Sequence, residues 1–146
     1  MVDEPEYERW LAAARDAGSS ARAQRTHGAF QWCCFLAEQG AQLAVKGLLH
    51  GVGAGGWGHD LAVLTSRAGT ALALTLPEDL TDAALRLSRH YIAARYPDAH
   101  PAGTPGGHYS KSDADTAIAD LHTVFGFVER EWTALLEATV DGDDRG

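Results

Sequence analysis

The sequence predicts an all-α fold, an up-and-down bundle of four long helices with one additional short helix. Three observations carry this: apolar residues recur at steps of three and four over long segments, prolines leave those segments free, and no strand-like alternation occurs. Of five prolines, Pro97, Pro101 and Pro105 crowd one short stretch, so long proline-free spans lie on either side of it.

The first helix is expected from Pro5 to about Arg25, with Tyr7, Trp10, Leu11, Ala14, Ala17 and Ala21 facing inward. Gly18-Ser19-Ser20 weakens it without breaking it. The second spans about Gly28 to Leu49. Phe30, Cys34, Ala37, Ala41, Ala44 and Leu48 form one stripe, while Trp32, Leu36, Leu43 and Val45 populate other faces. A helix apolar on most sides belongs at the centre of its bundle or against a partner subunit. Its polar strip is Gln31, Glu38, Gln42 and Lys46, and Gly40, Ala41, Ala44 and Gly47 allow a neighbouring helix to approach closely.

A shorter helix should start near Asp60 and carry Leu61, Val63 and Leu64. The fourth follows the capping-box pattern Thr75-x-x-Glu78, with Pro77 in its first turn. Leu80, Ala84, Leu87, Tyr91 and Ala94 form its inner face, and it must stop near Tyr96, just before Pro97. The last helix has the clearest period, through Ala114, Ile118, Leu121, Phe125, Val128, Trp132 and Leu135. Ser110 with Asp113 and Asp115 gives it an acidic, capped start, and Gly142 is the expected stop. Residues 1–140 thus form one helical domain, followed by an acidic tail over 141–146. The glycine-rich stretch Gly51–Gly58 and the segment Pro97–Tyr109 are irregular connections.

Composition narrows the function. The 146 residues are 45% hydrophobic, enough for a real core. A net charge of −8, from 20 acidic and 12 basic residues, disfavours duplex DNA as a partner, though a local basic pocket remains able to hold a nucleotide or a few RNA phosphates. No run approaches the roughly 18 uncharged apolar residues of a membrane span, and the acidic Met-Val-Asp-Glu-Pro start is no signal peptide. Adjacent Cys33 and Cys34 point about 100° apart on a helix. They are expected to be unbridged buried thiols, as in a reducing cytoplasm.

Gly51-Val-Gly53-Ala-Gly-Gly56 matches G-x-G-x-x-G literally, but a helix precedes it and no parallel sheet surrounds it, so it is expected to be a flexible loop. The seven histidines (27, 50, 59, 90, 100, 108 and 122) show no zinc spacing, and no motif asks for a metal or a cofactor. Chemistry concentrates after residue 86. Arg86 and Arg89 lie one turn apart, with Arg95 and His100 at the helix exit. Arginine can hold a phosphate bidentately, and histidine can move a proton on a ribose hydroxyl near neutral pH.

Three blocks then resemble one family. Cys34-Phe-Leu-Ala-Glu-Gln-Gly-Ala-Gln-Leu-Ala-Val-Lys-Gly-Leu-Leu49 is similar to the second helix of HEPN domains, with its Gln-Ala-Ala-Glu-Lys-Ala-Leu-Lys pattern. Gly58-His-Asp-Leu61 and His90-Tyr-Ile-Ala-Ala-Arg-Tyr-Pro-Asp98 are similar to two further family blocks, in the family's order, and the likeness spans about residues 5 to 138. The resemblance implies a bundle of four long helices plus a short one, often homodimeric, with proposed nucleotide binding. It also implies, for some members, pairing with a nucleotidyltransferase as a toxin–antitoxin couple. Others are metal-independent ribonucleases using Arg, four to six residues, then His, a spacing that Arg95-Tyr-Pro-Asp-Ala-His100 meets.

The sequence departs from the active pattern where Tyr96 and Pro97 follow the arginine, which ends the helix and puts His100 in a loop. Gln42 stands where the family has glutamate, and Gly40 and Gly47 where it has alanine. The leading expectation is therefore a cytoplasmic, dimeric nucleotide- or partner-binding module of a toxin–antitoxin or nucleotidyltransferase-associated system. Its binding patch would be Gln39, Lys46, His59, Arg89, Arg95 and Tyr96. The alternative is an RNA endonuclease with Arg95 and His100 as its catalytic pair.

Overall fold

The structure is a computed structural model that describes residues 1–146. It is a helical bundle with no strands: α1 (Glu4–Thr26), α2 (Phe30–Gly51), α3 (Leu61–Ala71), α4 (Glu78–Ser88), α5 (His90–Ala93) and α6 (Lys111–Asp143). Two short 3-10 turns, Pro97–Ala99 and Pro105–His108, sit in the connection before α6. The short helix α5 continues the path of α4 after a break at Arg89, so the pair serves as one interrupted fourth helix. None of the helices is long and apolar enough to cross a membrane.

Local chemistry explains most boundaries. Asp3 caps α1 by accepting a hydrogen bond from the Glu6 amide at 3.1 Å. The α1–α2 turn needs Gly28, whose φ of +77° is one that residues with a Cβ adopt only under strain. Asp60 caps α3 by accepting from the amides of Ala62 and Val63. Ser110 and Asp113 make the expected reciprocal box at the start of α6: Ser110 N–H donates to Asp113 Oδ2 at 2.8 Å, and Asp113 N–H donates to Ser110 Oγ at 3.2 Å.

Two local expectations are corrected. The Thr75 capping box does not form, because Leu76 precedes a proline and Pro77 itself is extended at ψ 143°, so α4 starts only at Glu78. Gly142 does not stop α6, which runs through it to Asp143 and takes in the first part of the acidic tail. A glycine in an exposed final turn weakens a helix without ending it. On the polar strip of α2, Glu38 is fully buried and Gln42 nearly so.

The core lies around α2. Cys34, Ala37, Ala41, Ala44 and Leu48 are buried there, against Leu11 and Ala14 of α1, Leu61 and Leu64 of α3, and Leu121, Val124 and Val128 of α6. Both cysteines are free, and burial pushes the Cys33 thiol up to about 11 and Cys34 to about 12. Tyr7 stacks on Trp132 with centroids 3.9 Å apart, joining α1 to α6. Arg86 of α4 grips the nearly buried Asp120 of α6 bidentately, at 2.9 and 2.8 Å. Phe30 and Leu43 pack against the core from partly exposed positions, while Trp32 remains exposed.

Small residues on α2 set how closely α1 lies. A Cβ on Gly47 would stand 2.8 Å from Trp10 Cβ, which is joined directly to the backbone and cannot swing away, and 3.0 Å from Leu11 Cδ2. Gly47→Ala should therefore lower unfolding free energy by about 1–3 kcal/mol in urea titration. Gly107→Ala, whose Cβ would meet nothing, should change it by no more than about 0.5 kcal/mol. Equal stabilities for the two variants would refute close α1–α2 packing as the reason for Gly47.

Candidate functional site

The site is built on one row of α2. Glu38, Gln42 and Lys46 follow at intervals of four, so their side chains stack along one face. Glu38 is fully buried and accepts side-chain amide hydrogen bonds from Gln39, at 2.8 Å, and from Gln42. The Gln42 amide also donates to the backbone carbonyl of His59 at 2.9 Å, which ties the start of α3 to the same row. Burial raises the Glu38 carboxyl above its ordinary value of 4.5, opposed by these two amides and by the charges of Arg95 and Lys46. Partial burial lowers the Lys46 ammonium, opposed by Glu38.

Arg95 reaches this row from just beyond α5. Its guanidinium lies 4.6 Å from the Phe35 ring, 4.7 Å from Tyr91 and 5.1 Å from Tyr96, enclosed by three aromatic faces. Its Nε and Nη2 both donate to the Tyr91 carbonyl, at 2.9 and 2.6 Å, which fixes the fork and leaves its other N–H groups for an anion. His59 stacks on Tyr91 with centroids 5.4 Å apart and rings 12° from parallel. A groove of about 320 Å³ runs along this face, lined by His59, Asp60, Ser88, Arg89, Tyr91 and Ile92.

Gln39, Lys46 and Arg95 thus act on one buried carboxylate; Tyr96 joins through Arg95, His59 through its backbone carbonyl on Gln42, and Arg89 only as a lining residue of the groove that His59 also lines. His100 is not part of this assembly. Pro97 begins a 3-10 turn that folds the chain back, and His100 Nε2 donates to the Ala93 carbonyl at 2.6 Å. Its ring stacks on His108 at 4.3 Å, while the neighbouring Tyr109 hydroxyl meets His90 Nδ1 at 3.0 Å. Arg95 and His100 share neither a hydrogen bond nor a ring contact, despite the spacing that suggests a pair.

Glu38, Phe35 and Tyr91 had no place in the expected site, although they build it. The one sign of Glu38 in the sequence is a carboxylate set among small and apolar residues, with an amide at the next position and another four further on. The glycine-rich stretch is also more ordered than a flexible loop. Arg67 donates to the carbonyls of Trp57 and Gly55 at 3.0 and 3.2 Å, and buried Gly56 packs onto Lys46.

A pH consequence follows from Glu38. Its carboxyl is raised, so above about pH 4.5 the folded chain holds this proton more firmly than the unfolded chain does. Its contribution to stability is then most favourable at and below that value, and is lost as pH rises through the folded pKa. Glu38→Gln should flatten this component, so that the melting temperature of the variant gains on the wild type as pH rises from mildly acidic to neutral. A constant difference across that window would contradict the burial of an ionisable Glu38.

Comparisons with known proteins converge. The family model described as HEPN domain matches residues 7–131. Among solved structures, TT1696 from Thermus thermophilus superposes with a TM-score of 0.81 at 37% identity, over 86% of this chain and 97% of that one. ST0689, an archaeal HEPN homologue, gives a TM-score of 0.72 at 32% identity, covering 86% and 96% of the two chains. An HEPN domain protein from Thermotoga maritima gives 0.69 at 29%, covering 86% and 98%. No curated protein matches the sequence significantly.

Proposed function

Because the chain belongs to the HEPN domain family, we propose that it is a non-enzymatic nucleotide-binding module whose phosphate site is the cluster of Lys46, His59, Arg89 and Arg95 around Glu38. The observation that carries this proposal is the guanidinium of Arg95, fixed by the Tyr91 carbonyl and three aromatic faces, which shares with Lys46 an electrostatic influence on Glu38, while Tyr91 itself lines the open groove. In a chain of net charge −8, these cations offer anions a local attraction on one face, beside the Asp60 carboxylate that also lines the groove. Glu38 orients the cationic face from below, and Gln39 and Tyr96 complete its edge with an amide and an aromatic surface.

Arg95 and His100 are ill placed to act together in RNA cleavage, because the imidazole is committed to the Ala93 carbonyl and stacked on His108. The module is proposed to act as a homodimer. Trp32, Ile92 and Tyr96 remain 42%, 49% and 47% exposed, and Trp32 packs at 6.1 Å on Phe35, which in turn carries Arg95. Apolar residues this large, gathered on one face, suit a subunit contact. Such a dimer fits a nucleotidyltransferase-associated or toxin–antitoxin setting, in which the nucleotide would be shared with or delivered to the partner.

The test is thermal unfolding with a nucleoside diphosphate at millimolar concentration. Wild type should gain roughly 2–5 °C, Arg95→Ala and Lys46→Ala should gain nothing, and His100→Ala should behave as wild type. No gain across adenine, guanine, cytosine and uracil nucleotides would overturn the binding site. Metal-free RNA incubation should show no cleavage. Chelator-resistant cleavage that disappears in both Arg95→Ala and His100→Ala would instead establish the nuclease. Light scattering at micromolar concentration should give the mass of two chains, and a strict monomer would remove the dimer.

A further inference from the structure

A second cleft opens on the far side of His59, with a volume of about 450 Å³. Its walls are aromatic. His50 stacks on Trp10 with centroids 4.8 Å apart, and meets Trp57 edge-on at 5.7 Å. Trp57 is 74% exposed, an unusual state for the largest apolar side chain. It is not there through disorder of its loop. Arg67 holds the carbonyls of Gly55 and of Trp57 itself, and Gly56 lies against α2 so closely that a Cβ would stand 2.9 Å from Lys46 Cα. The backbone that presents this indole is braced at three points while the ring itself faces outward.

The polar groups of the cleft are equally specific. Lys46 and His59 line it; Lys46 also acts on Glu38 and His59 also lines the first groove, so the two sites are continuous. At the opposite rim, Glu6 accepts from Trp10 Nε1 at 3.0 Å and pairs with Arg9 at 2.9 Å, which locks the Trp10 indole in orientation. His50 Nε2 is covered by its surroundings and has no hydrogen-bond partner. A covered, unsatisfied ring nitrogen among exposed aromatic surfaces is unfavourable unless something polar reaches it.

We propose that this cleft is the base subsite of the nucleotide site: a nucleobase stacks on Trp57, its polar edge turns toward His50 Nε2, and its phosphates extend past Lys46 to Arg95. A flat heterocycle suits this cleft better than an aliphatic ligand does. It offers a π-face to the indole and, in its own plane, hydrogen-bonding atoms of the kind the unpartnered histidine nitrogen lacks. The placement of charge supports the same direction. Arg9 is paired with Glu6, which leaves Lys46, beside His59, as the lining cation without an ion-pair partner, so the anionic end of the ligand is drawn toward Lys46.

This inference rests on the phosphate site proposed above, and one calorimetric series separates the two. ADP and inorganic pyrophosphate, which has no base, are titrated into wild type, Trp57→Ala, Trp57→Phe and Arg95→Ala. ADP should bind wild type about tenfold or more tighter than pyrophosphate. Trp57→Ala should bring ADP down to the pyrophosphate level without altering pyrophosphate, Trp57→Phe should keep most of the difference, and Arg95→Ala should weaken both ligands. Equal affinities of wild type for ADP and pyrophosphate, or a Trp57→Ala variant that keeps the tenfold gap, would overturn the base subsite and leave the phosphate site standing. Failure of both ligands to bind would overturn the two together.

Discussion

The buried carboxyl group of Glu38 is the group on which the functional face depends. An ionised group without solvent is tolerated only where donors and opposite charges surround it. Here the amides of Gln39 and Gln42 supply the donors, and Lys46 and Arg95 the charges. The need to satisfy this one group draws together three stretches of chain: the middle of α2, the His59 carbonyl at the entrance of α3, and the exit of α5. Each of them also contributes a side chain to the proposed phosphate site. Bundle packing and site assembly are therefore one problem, solved at the same residues.

The rest of the fold holds this row in place. Gly47 and Gly51 let α1 and the Trp132 ring of α6 press directly on α2, which fixes the helix that bears Glu38. Arg86 and Asp120 lock α4 to α6, so the segment leading to Arg95 arrives from a fixed direction. The residue before Pro97 is extended, at φ −109° and ψ 126°, so the chain leaves the helical path after the turn that carries Arg95, α5 itself having ended at Ala93. That stop lets the guanidinium fold back onto the Tyr91 carbonyl. It also sends His100 away on a separate turn, toward His108 and Ala93. One proline thus shapes the site and separates the two residues whose spacing suggests catalysis.

Much of this was legible in the sequence, for identifiable reasons. The stripe of α6 extends over many turns, so its period stands out from noise, and Ser110 with Asp113 caps it through neighbours in the chain alone. That the fourth helix cannot run past Tyr96 follows from the proline after it, although its last helical residue is Ala93 and it is interrupted at Arg89. The burial of Glu38 was not legible, because a row of polar residues at intervals of four looks the same whether it faces water or a partner element. Only the arrival of His59 and Arg95 decides between them, and that arrival is tertiary. The Arg95–His100 interval likewise fixes a separation along the chain and says nothing of direction. Trp57 was hidden in a glycine-rich stretch that reads as a loose loop, since its anchor, Arg67, comes from a helix further along.

The most direct test of the account is two-dimensional NMR of the labelled protein titrated with ADP, following side-chain amide, arginine and imidazole signals. The account predicts that the largest changes fall on the Gln39 and Gln42 amides, the Arg95 guanidinium and the His59 ring, while His100 and His108 stay unmoved. Changes centred on His100 and His108 with the Gln39, Gln42 and Arg95 signals still would contradict it, and would place the functional site in the connection before α6.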